Sequence, residues 1–409
     1  ANSLVNDYIV EVVYTYKVYD EPVNKLDRRV LVTYLSDLKP NKKEFKSALK
    51  RLRFISAFRE GIKSIKILKL KKSLMIDFIK GCDSDIIIST RDIHNTWLGL
   101  YGKENVLKIG WEHNHHHGNE KYAKKIIESC KNLDYFVLVS KDLASYYKER
   151  VNPKCVYIPN LVSKADVTSD LKSPNLVSVG RLSKEKGFVD LIDVFALVHM
   201  MYPEWKLNLI GDGEEKDKII SKIHKYGLED SVIMHGFLDK DKVGKILSES
   251  SIYLMTSFTE SFGIVLLEAF SYGVPCVAFD SAEGANEIIS NNWDGYLIKD
   301  RDIDEMAKRV CHLIGNYSRR FIMGQNAIKK ANKYSLEEFV KYDGIIYLGL
   351  FLEYDYQIIC NIEKEKEKKY IFEKIENNMI EIAKFFNDFI INSLIVSSLA
   401  FFSKFNDIS

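Results

Sequence analysis

Hydrophobic and polar positions along this chain follow two periods. Short apolar runs bounded by polar or glycine-containing turns read as buried strands, and longer stretches with apolar residues at i, i+3 and i+4 read as helices. In the first half, strands are expected at 8–16, 30–34, 85–89, 106–110, 135–139 and 155–158, with helices over 119–131 and from 140 to 150. Basic helical segments fill 41–80. A polar stretch without periodicity, 161–174, closes on Pro174 and reads as a linker. Beyond it, strands at 176–179, 206–210, 231–235, 252–255, 276–279 and 295–298 alternate with helices at 186–201, 214–226, 240–249, 262–272, 284–290 and 302–314.

Strands separated by helices of this length form right-handed βαβ units and a parallel sheet. The expected fold class is therefore α/β, with two doubly wound Rossmann-like domains, 1–160 and 175–335, facing each other across a cleft. A helix over 336–352 is expected to return toward the first domain, and 353–409 to form a helical extension of unassigned role. The start is unusual. Ala1 to Asp7 reads as the end of a helix, whereas a domain of this class opens with a strand and a ligand-binding loop, so the first domain is expected to be truncated at its beginning.

Composition narrows the class. A length of 409 residues with 46% hydrophobic content suits two packed cores, and a net charge of +2 gives no global field for nucleic acid. The six cysteines, at 82, 130, 155, 276, 311 and 360, are scattered without a C-x-x-C pair, which points to reduced thiols and a cytosolic compartment. No apolar run reaches the roughly 20 residues that span a bilayer.

The densest chemistry lies at Glu260-Ser261-Phe262-Gly263-Ile264-Val265-Leu266-Leu267-Glu268. A strand ending near Thr256 and a helix beginning near Phe262 place Glu260 at the carboxyl end of a strand, where open α/β sheets bind ligands. Glu268 falls in the second turn of that helix. The helix start, with free N–H groups and the positive end of its dipole, seats phosphate. An anion seat between two carboxylates matches a nucleoside diphosphate-sugar. Read alone, the pair fits equally well a helix with two solvated glutamates.

Three further segments follow strands: Gly180-Arg181-Leu182-Ser183-Lys184-Glu185-Lys186-Gly187, Gly211-Asp212-Gly213 and His235-Gly236-Phe237. Arg181 and Lys186 have the chemistry to grip a diphosphate, one as a fork and one as a point charge, or are solvated loop cations. The Gly-Asp-Gly turn lets another group approach the backbone. The His-Gly-Phe loop could lie along a nucleobase, with His235 as readily a packing residue.

Together these segments, V-G-R-L-S-K-E-K-G, G-D-G, H-G-F, T-S-F-T-E-S-F-G-I-V-L-L-E-A-F-S-Y-G-V-P-C-V and D-G-Y-L-I, resemble the family 4 glycosyltransferases, retaining enzymes of the GT-B fold. The resemblance covers about 8–345 and is strongest over 175–300. It implies that Arg181 and Lys186 hold the donor diphosphate as it leaves, assisted by backbone amides around Gly263, Ile264 and Val265. It further implies that Glu268 binds the ribose and Glu260 orients the donor sugar, with Gly180, Gly211, Gly213, Gly236, Phe237 and Phe262 lining the donor site. Asn160, closing an I-P-N segment, takes a structural role at the domain junction. No D-x-D pair stands where a divalent metal would need it, so no metal or other cofactor is expected for transfer.

Trp111-Glu112-His113-Asn114-His115-His116-His117 ends a strand of the first half. His113 and His117 have the i, i+4 spacing of a helical zinc pair, but the H-E-x-x-H pattern is absent. A surface loop without chemistry is a second reading. The resemblance favours a third, in which His113 first, and His115 second, touches the donor sugar or acceptor; Glu112 and Arg91 stand on the acceptor side. Segment 39–80 combines Lys and Arg with Phe45, Leu49, Leu52, Ile55 and Phe58 at helical spacing. It suits an anionic membrane surface and, equally, a core-packed helix with a solvated basic face.

The expected activity is retaining transfer of a hexose from a nucleoside diphosphate-sugar, foremost a UDP-sugar, to a saccharide or lipid-linked acceptor in surface polysaccharide synthesis. The expected setting is cytoplasmic, with peripheral contact at the cytoplasmic membrane face and no nucleic-acid partner. The rivals are a GT-B sugar-nucleotide epimerase and a nucleotide-sugar-binding protein without turnover.

Overall fold

The computed structural model describes residues 1, 5, 8–17, 26–39, 41–51 and 53–335. The expected helices over 336–352 and 353–409 lie outside the described residues.

The first half contains two parallel sheets. Strands β1 (Glu11–Tyr14) and β2 (Leu31–Tyr34) pair with each other, and the rings of Tyr14 and Tyr34 stack at 5.3 Å. Strands β3 (Ile86–Ser89), β4 (Leu107–Glu112), β5 (Tyr135–Leu138) and β6 (Lys154–Tyr157) form a second sheet in sequential order. The basic segment resolves into α1 (Lys42–Lys50) and α2 (Phe54–Gly81), and α2 packs on α3 (Asp92–Tyr101). The strand pattern did not reveal α3, a helix that begins without a side-chain cap at Arg91 and buries Asn95 beside Trp97 and Leu98. Helices α4 (Glu120–Ser129) and α5 (Lys141–Tyr147) complete this half, each capped by a side chain, Asn119 and Ser140 respectively.

The second half is one six-stranded parallel sheet. Its strands are β7 (Asn175–Val179), β8 (Lys206–Ile210), β9 (Val232–Gly236), β10 (Ile252–Met255), β11 (Cys276–Phe279) and β12 (Gly295–Ile298), and their order across the sheet is β12-β11-β10-β7-β8-β9. The connecting helices are α6 (Phe188–Met201), α7 (Lys216–Tyr226), α8 (Lys240–Ser248), α9 (Ile264–Ser271), α10 (Glu283–Ile288) and α11 (Ile303–Gly315), followed by α12 (Tyr317–Lys333). Residues of β10 and β11 are buried throughout, as a sheet covered on both faces requires. One face packs Leu191, Phe195, Val198, Met306 and Val310 against the sheet, and the other packs Leu266, Leu267 and Phe270.

The segment 161–174 is laced onto the second half rather than running free. Val162 N–H donates to Tyr334 O (3.0 Å), Ser169 N–H to Tyr272 O (2.8 Å), and buried Leu171 accepts two bonds from the Arg320 guanidinium, at 3.0 and 2.8 Å. The described cysteines, 82, 130, 155, 276 and 311, are free thiols.

Candidate functional site

The chain enters the second sheet at β7, builds outward through β8 and β9, then crosses back to lay β10 on the other side of β7. Strand order therefore reverses between β7 and β10, and the crevice at the carboxyl ends of such strands is where open α/β sheets bind ligands. Lys186 ends a 3-10 turn in the β7 loop, and Glu260 lies in the β10 loop. Across the crevice Lys186 Nζ pairs with Glu260 Oε2, with the two side chains 24% and 17% exposed.

The two loops are held at close range. Phe258 N–H donates to Glu185 O (2.8 Å), and Thr256 Oγ1–H donates to Gly187 O (2.9 Å). Gly187 has φ 64°, and a Cβ there would lie 2.1 Å from Thr256 O. The Gly-Asp-Gly turn after β8 serves the same packing. A Cβ on Gly211 would lie 1.8 Å from Gly180 O, and one on Gly213 would lie 2.4 Å from Leu182 O. The group that approaches these two glycines is thus the neighbouring loop, which their backbone supports from below.

The other expected residues lie on the loops and helix that leave the same strand ends. Arg181 is exposed in the β7 loop; its carbonyl accepts the Ser183 N–H (2.8 Å), and its guanidinium has no hydrogen bond or ion pair among the described residues. Gly263, at φ 82°, starts α9, whose first N–H groups have no intrahelical acceptor. Glu268 lies in the second turn of α9; burial raises its pKa, partly offset by the Lys240 charge. Gly236, at φ 68°, has open space around its Cα, and Phe237 is 79% exposed. His235 is bonded through Nε2 to Asn208 Oδ1 (2.8 Å), which fits its packing role.

Several expected contacts take other roles. The Phe262 ring is buried and meets Tyr334 edge-on at 5.9 Å, so only its backbone is available to a ligand. Glu112 is buried and turned into its own loop, where it accepts the Asn114 backbone N–H (2.7 Å) and the Asn114 amide (3.0 Å); burial raises its pKa. It shapes the turn that presents His113 and does not reach an acceptor. His115 is buried, and its ring is engaged by Asp142 and Glu283. The segment from 113 to 117 is a loop, so no helical His113–His117 pair forms; His113 instead stacks on Trp111 at 5.7 Å. His113 is exposed, and partial desolvation moves its pKa down. Arg91 is exposed at the carboxyl end of β3, beside the end of β4 that carries His113. Asn160 follows β6 and is half-buried.

Two features escaped the sequence reading. Arg301 has φ 60° and joins three elements: its guanidinium donates to Asp190 (2.7 Å), Thr256 O (2.9 Å), Ser257 O (3.2 Å) and Ser281 Oγ (3.3 Å). It lies between the rings of Phe258 and Phe279, 3.9 and 4.2 Å away, and so fixes the start of the loop that carries Glu260. The second feature is α10, which joins the halves. Glu287 accepts the Lys141 N–H (2.9 Å) and the Tyr157 hydroxyl (2.6 Å), while Ser261 Oγ accepts the His115 N–H (2.8 Å). Glu283 reaches His117 (3.1 Å) and, with its other oxygen, accepts the Glu260 N–H (3.3 Å). An E-x-x-x-E pair on a short helix after a strand was the available signal.

Residues 162–330 match the family described as glycosyl transferases group 1. An uncharacterized glycosyltransferase of Haemophilus influenzae is 25% identical over 332 residues, covering 79% of this chain and 86% of that protein. The poly(glycerol-phosphate) alpha-glucosyltransferase of Bacillus subtilis is 26% identical over 64% of this chain and 39% of its own length. Among solved structures, S. aureus TarM crystallised with UDP and alpha-GlcNAc-glycerol superposes with a TM-score of 0.60 at 24% identity, over 66% of this chain and 57% of that one. The chain thus spans most of the Haemophilus protein and about half, or less, of the other two. The α/β architecture with parallel sheets is that of GT-B glycosyltransferases.

Proposed function

We propose that this protein is a retaining glycosyltransferase that moves a hexose from a nucleoside diphosphate-sugar, foremost a UDP-sugar, to a saccharide or lipid-linked acceptor. A surface polysaccharide or related glycoconjugate is the proposed product. The observation that carries this reading is the β7/β10 switch point, where Lys186 pairs with Glu260 and the Glu260 side chain lies against Gly263 at the start of α9.

In the proposed mechanism Arg181, Lys186 and the N–H groups of Ile264 and Val265 hold the diphosphate. Glu268 accepts the ribose hydroxyls, the Gly236–Phe237 loop lies along the base, and Glu260, released from Lys186 by the incoming phosphate, orients the sugar hydroxyls. His113 approaches the sugar from the first half. The anomeric carbon–oxygen bond breaks, and its electron pair passes to the diphosphate. The acceptor hydroxyl attacks on the face that the diphosphate leaves, and its proton passes to the departing phosphate oxygen. Fixed cationic and amide donors aimed at this growing charge lower the barrier without a rearrangement of solvent. Arg181 and Lys186 supply the neutralising charge, so transfer needs no divalent metal.

The acceptor side of the proposal rests on α2. Phe54, Ile55, Phe58, Ile62, Ile65 and Leu68 are exposed along it. Arg53, Arg59, Lys63, Lys66, Lys69 and Lys72 are exposed beside them. Such a face suits an anionic membrane and a lipid-linked acceptor on its cytoplasmic side. No helix among the described residues is long and apolar enough to cross a membrane.

A panel of radiolabelled UDP- and GDP-sugars tests the activity. Transfer to an acceptor with retention at the anomeric centre supports the reading. Conversion of the donor to its epimer supports the epimerase instead, and nucleotide binding without product supports a binding protein.

A further inference from the structure

The structure assigns a metal site to the junction of the two halves, behind the loop that carries Glu260: we propose that His115, His117 and Glu283 bind a zinc-class divalent cation that ties the loop after β4 to α10. His115 Nδ1, His117 Nδ1 and Glu283 Oε1 form a triangle with edges of 3.1, 3.1 and 3.5 Å. Zinc holds nitrogen and oxygen ligands at about 2.0–2.1 Å in a tetrahedron, which sets neighbouring ligands roughly 3.3 Å apart. The triangle therefore has the dimensions of one face of that tetrahedron, with the fourth position open to water.

The hydrogen bonds of the cluster orient these ligands. His115 Nε2 lies 2.7 Å from Asp142 Oδ2, and the His117 backbone N–H donates to His115 Nδ1 (2.9 Å). The first contact fits a proton on Nε2, which leaves the Nδ1 lone pair for the triangle, where the His117 N–H is the group that a cation would displace. Without a cation, a proton on His117 Nδ1 bonds Glu283 Oε1; a cation would replace that proton and draw on all three corners. The Asp142–His115 bond also reproduces the carboxylate–imidazole relay that orients metal-ligating histidines. His117 has φ 46°, so the chain turns there and its ring comes back toward His115 and Glu283. The neighbouring imidazoles are occupied elsewhere: His116 lies on Tyr146 at 3.9 Å and His113 on Trp111 at 5.7 Å. Two imidazoles and one carboxylate select zinc and its borderline neighbours over magnesium or calcium.

The test uses the untagged full chain, stripped by chelation and dialysed against zinc chloride, with bound metal counted by elemental analysis. Cobalt(II) provides a visible spectrum that reports four-coordinate geometry. The wild type is expected to retain one equivalent and to unfold at a higher temperature with zinc than without. His117→Ala and Glu283→Gln are expected to weaken zinc at least about tenfold and to abolish its effect on the unfolding midpoint, and Asp142→Asn to weaken it by about 10–100-fold. His113→Ala is expected to leave binding unchanged. His117 lies at the surface, and the metal-free midpoints of variants and wild type establish that each folds. A wild type that binds no stoichiometric zinc overturns the proposal. So does binding that survives His117→Ala and Glu283→Gln, or that is lost equally on His113→Ala.

Discussion

Lys186 and Glu260 are separated by more than seventy residues of chain, yet they form an ion pair across the crevice between β7 and β10. Without a ligand each neutralises the other. A diphosphate entering the crevice competes for the lysine and frees the carboxylate to meet the sugar. Lys186→Ala is therefore expected to lower kcat/KM by about 10²–10³-fold, the usual effect of losing one donor to a developing anion. Glu260→Gln is expected to lower kcat with little change in nucleotide affinity. Steady-state kinetics with the best donor of the panel checks both, and unchanged kcat in Glu260→Gln removes that residue from the mechanism.

Arg301 holds the start of the Glu260 loop through Asp190 and the Thr256 and Ser257 carbonyls. Arg301→Met is expected to destabilise the protein by about 2–3 kcal/mol, the scale of hydrogen bonds to a charged group. Donor affinity is expected to fall with it, because the loop loses its anchor. Denaturant unfolding beside nucleotide titration checks this, and a variant as stable as the wild type contradicts the anchoring role.

Two glycine substitutions at positive φ, one with a clash and one without, weigh packing on top of backbone preference. Gly211→Ala drives a Cβ into the Gly180 carbonyl, so a loss of about 2–3 kcal/mol is expected. Gly227, at φ 64° with open space around it, has only the left-handed conformation to oppose a side chain, and Gly227→Ala is expected to lose about 1 kcal/mol. Equal losses in the two variants would contradict the close approach of the β8 turn to the β7 loop.

Acid stability depends on His94. Burial first, then the charges of Lys71 and Arg91, lowers its pKa from 6.5 to about 4, and its Nε2 has no hydrogen-bond partner among the described residues. The unfolded chain takes up that proton first, so the contribution of His94 is complete above pH 6.5 and is lost as pH falls toward about 4. The loss amounts to roughly 2 kcal/mol after partial solvent screening. His94→Gln is expected to flatten the stability profile between these values, and a profile parallel to that of the wild type refutes the assignment.

The second half is readable from sequence because its local and long-range demands agree. Ile252–Met255 and Cys276–Phe279 are short apolar runs that a doubly covered sheet needs, and Gly263 marks the helix that follows. Where packing draws on distant partners, the pattern falls silent. Helix α12 buries Arg320 and Asn326 on its inner face, which interrupts the apolar stripe; Arg320 is there to cap the carbonyls of Leu171, Leu313 and Ile314. Arg301 looks in sequence like a solvated loop cation, and its burial follows from an aspartate over a hundred residues earlier. The histidine run shows the same limit. Its spacing suggests a helical pair of His113 and His117, whereas the loop after β4 turns His115 and His117 toward Glu283 of the other half.

Calorimetric titration with UDP of the wild type and of Arg181→Ala, Lys186→Ala and Glu268→Ala tests the donor crevice most directly. The account predicts saturable binding by the wild type and at least about tenfold weaker binding by each variant, a difference of roughly 1.4 kcal/mol. Because burial raises the Glu268 pKa, wild-type affinity should also fall on acidification at a higher pH than an ordinary glutamate would give. Unchanged affinity in all three variants would contradict the assignment of the crevice to a nucleoside diphosphate.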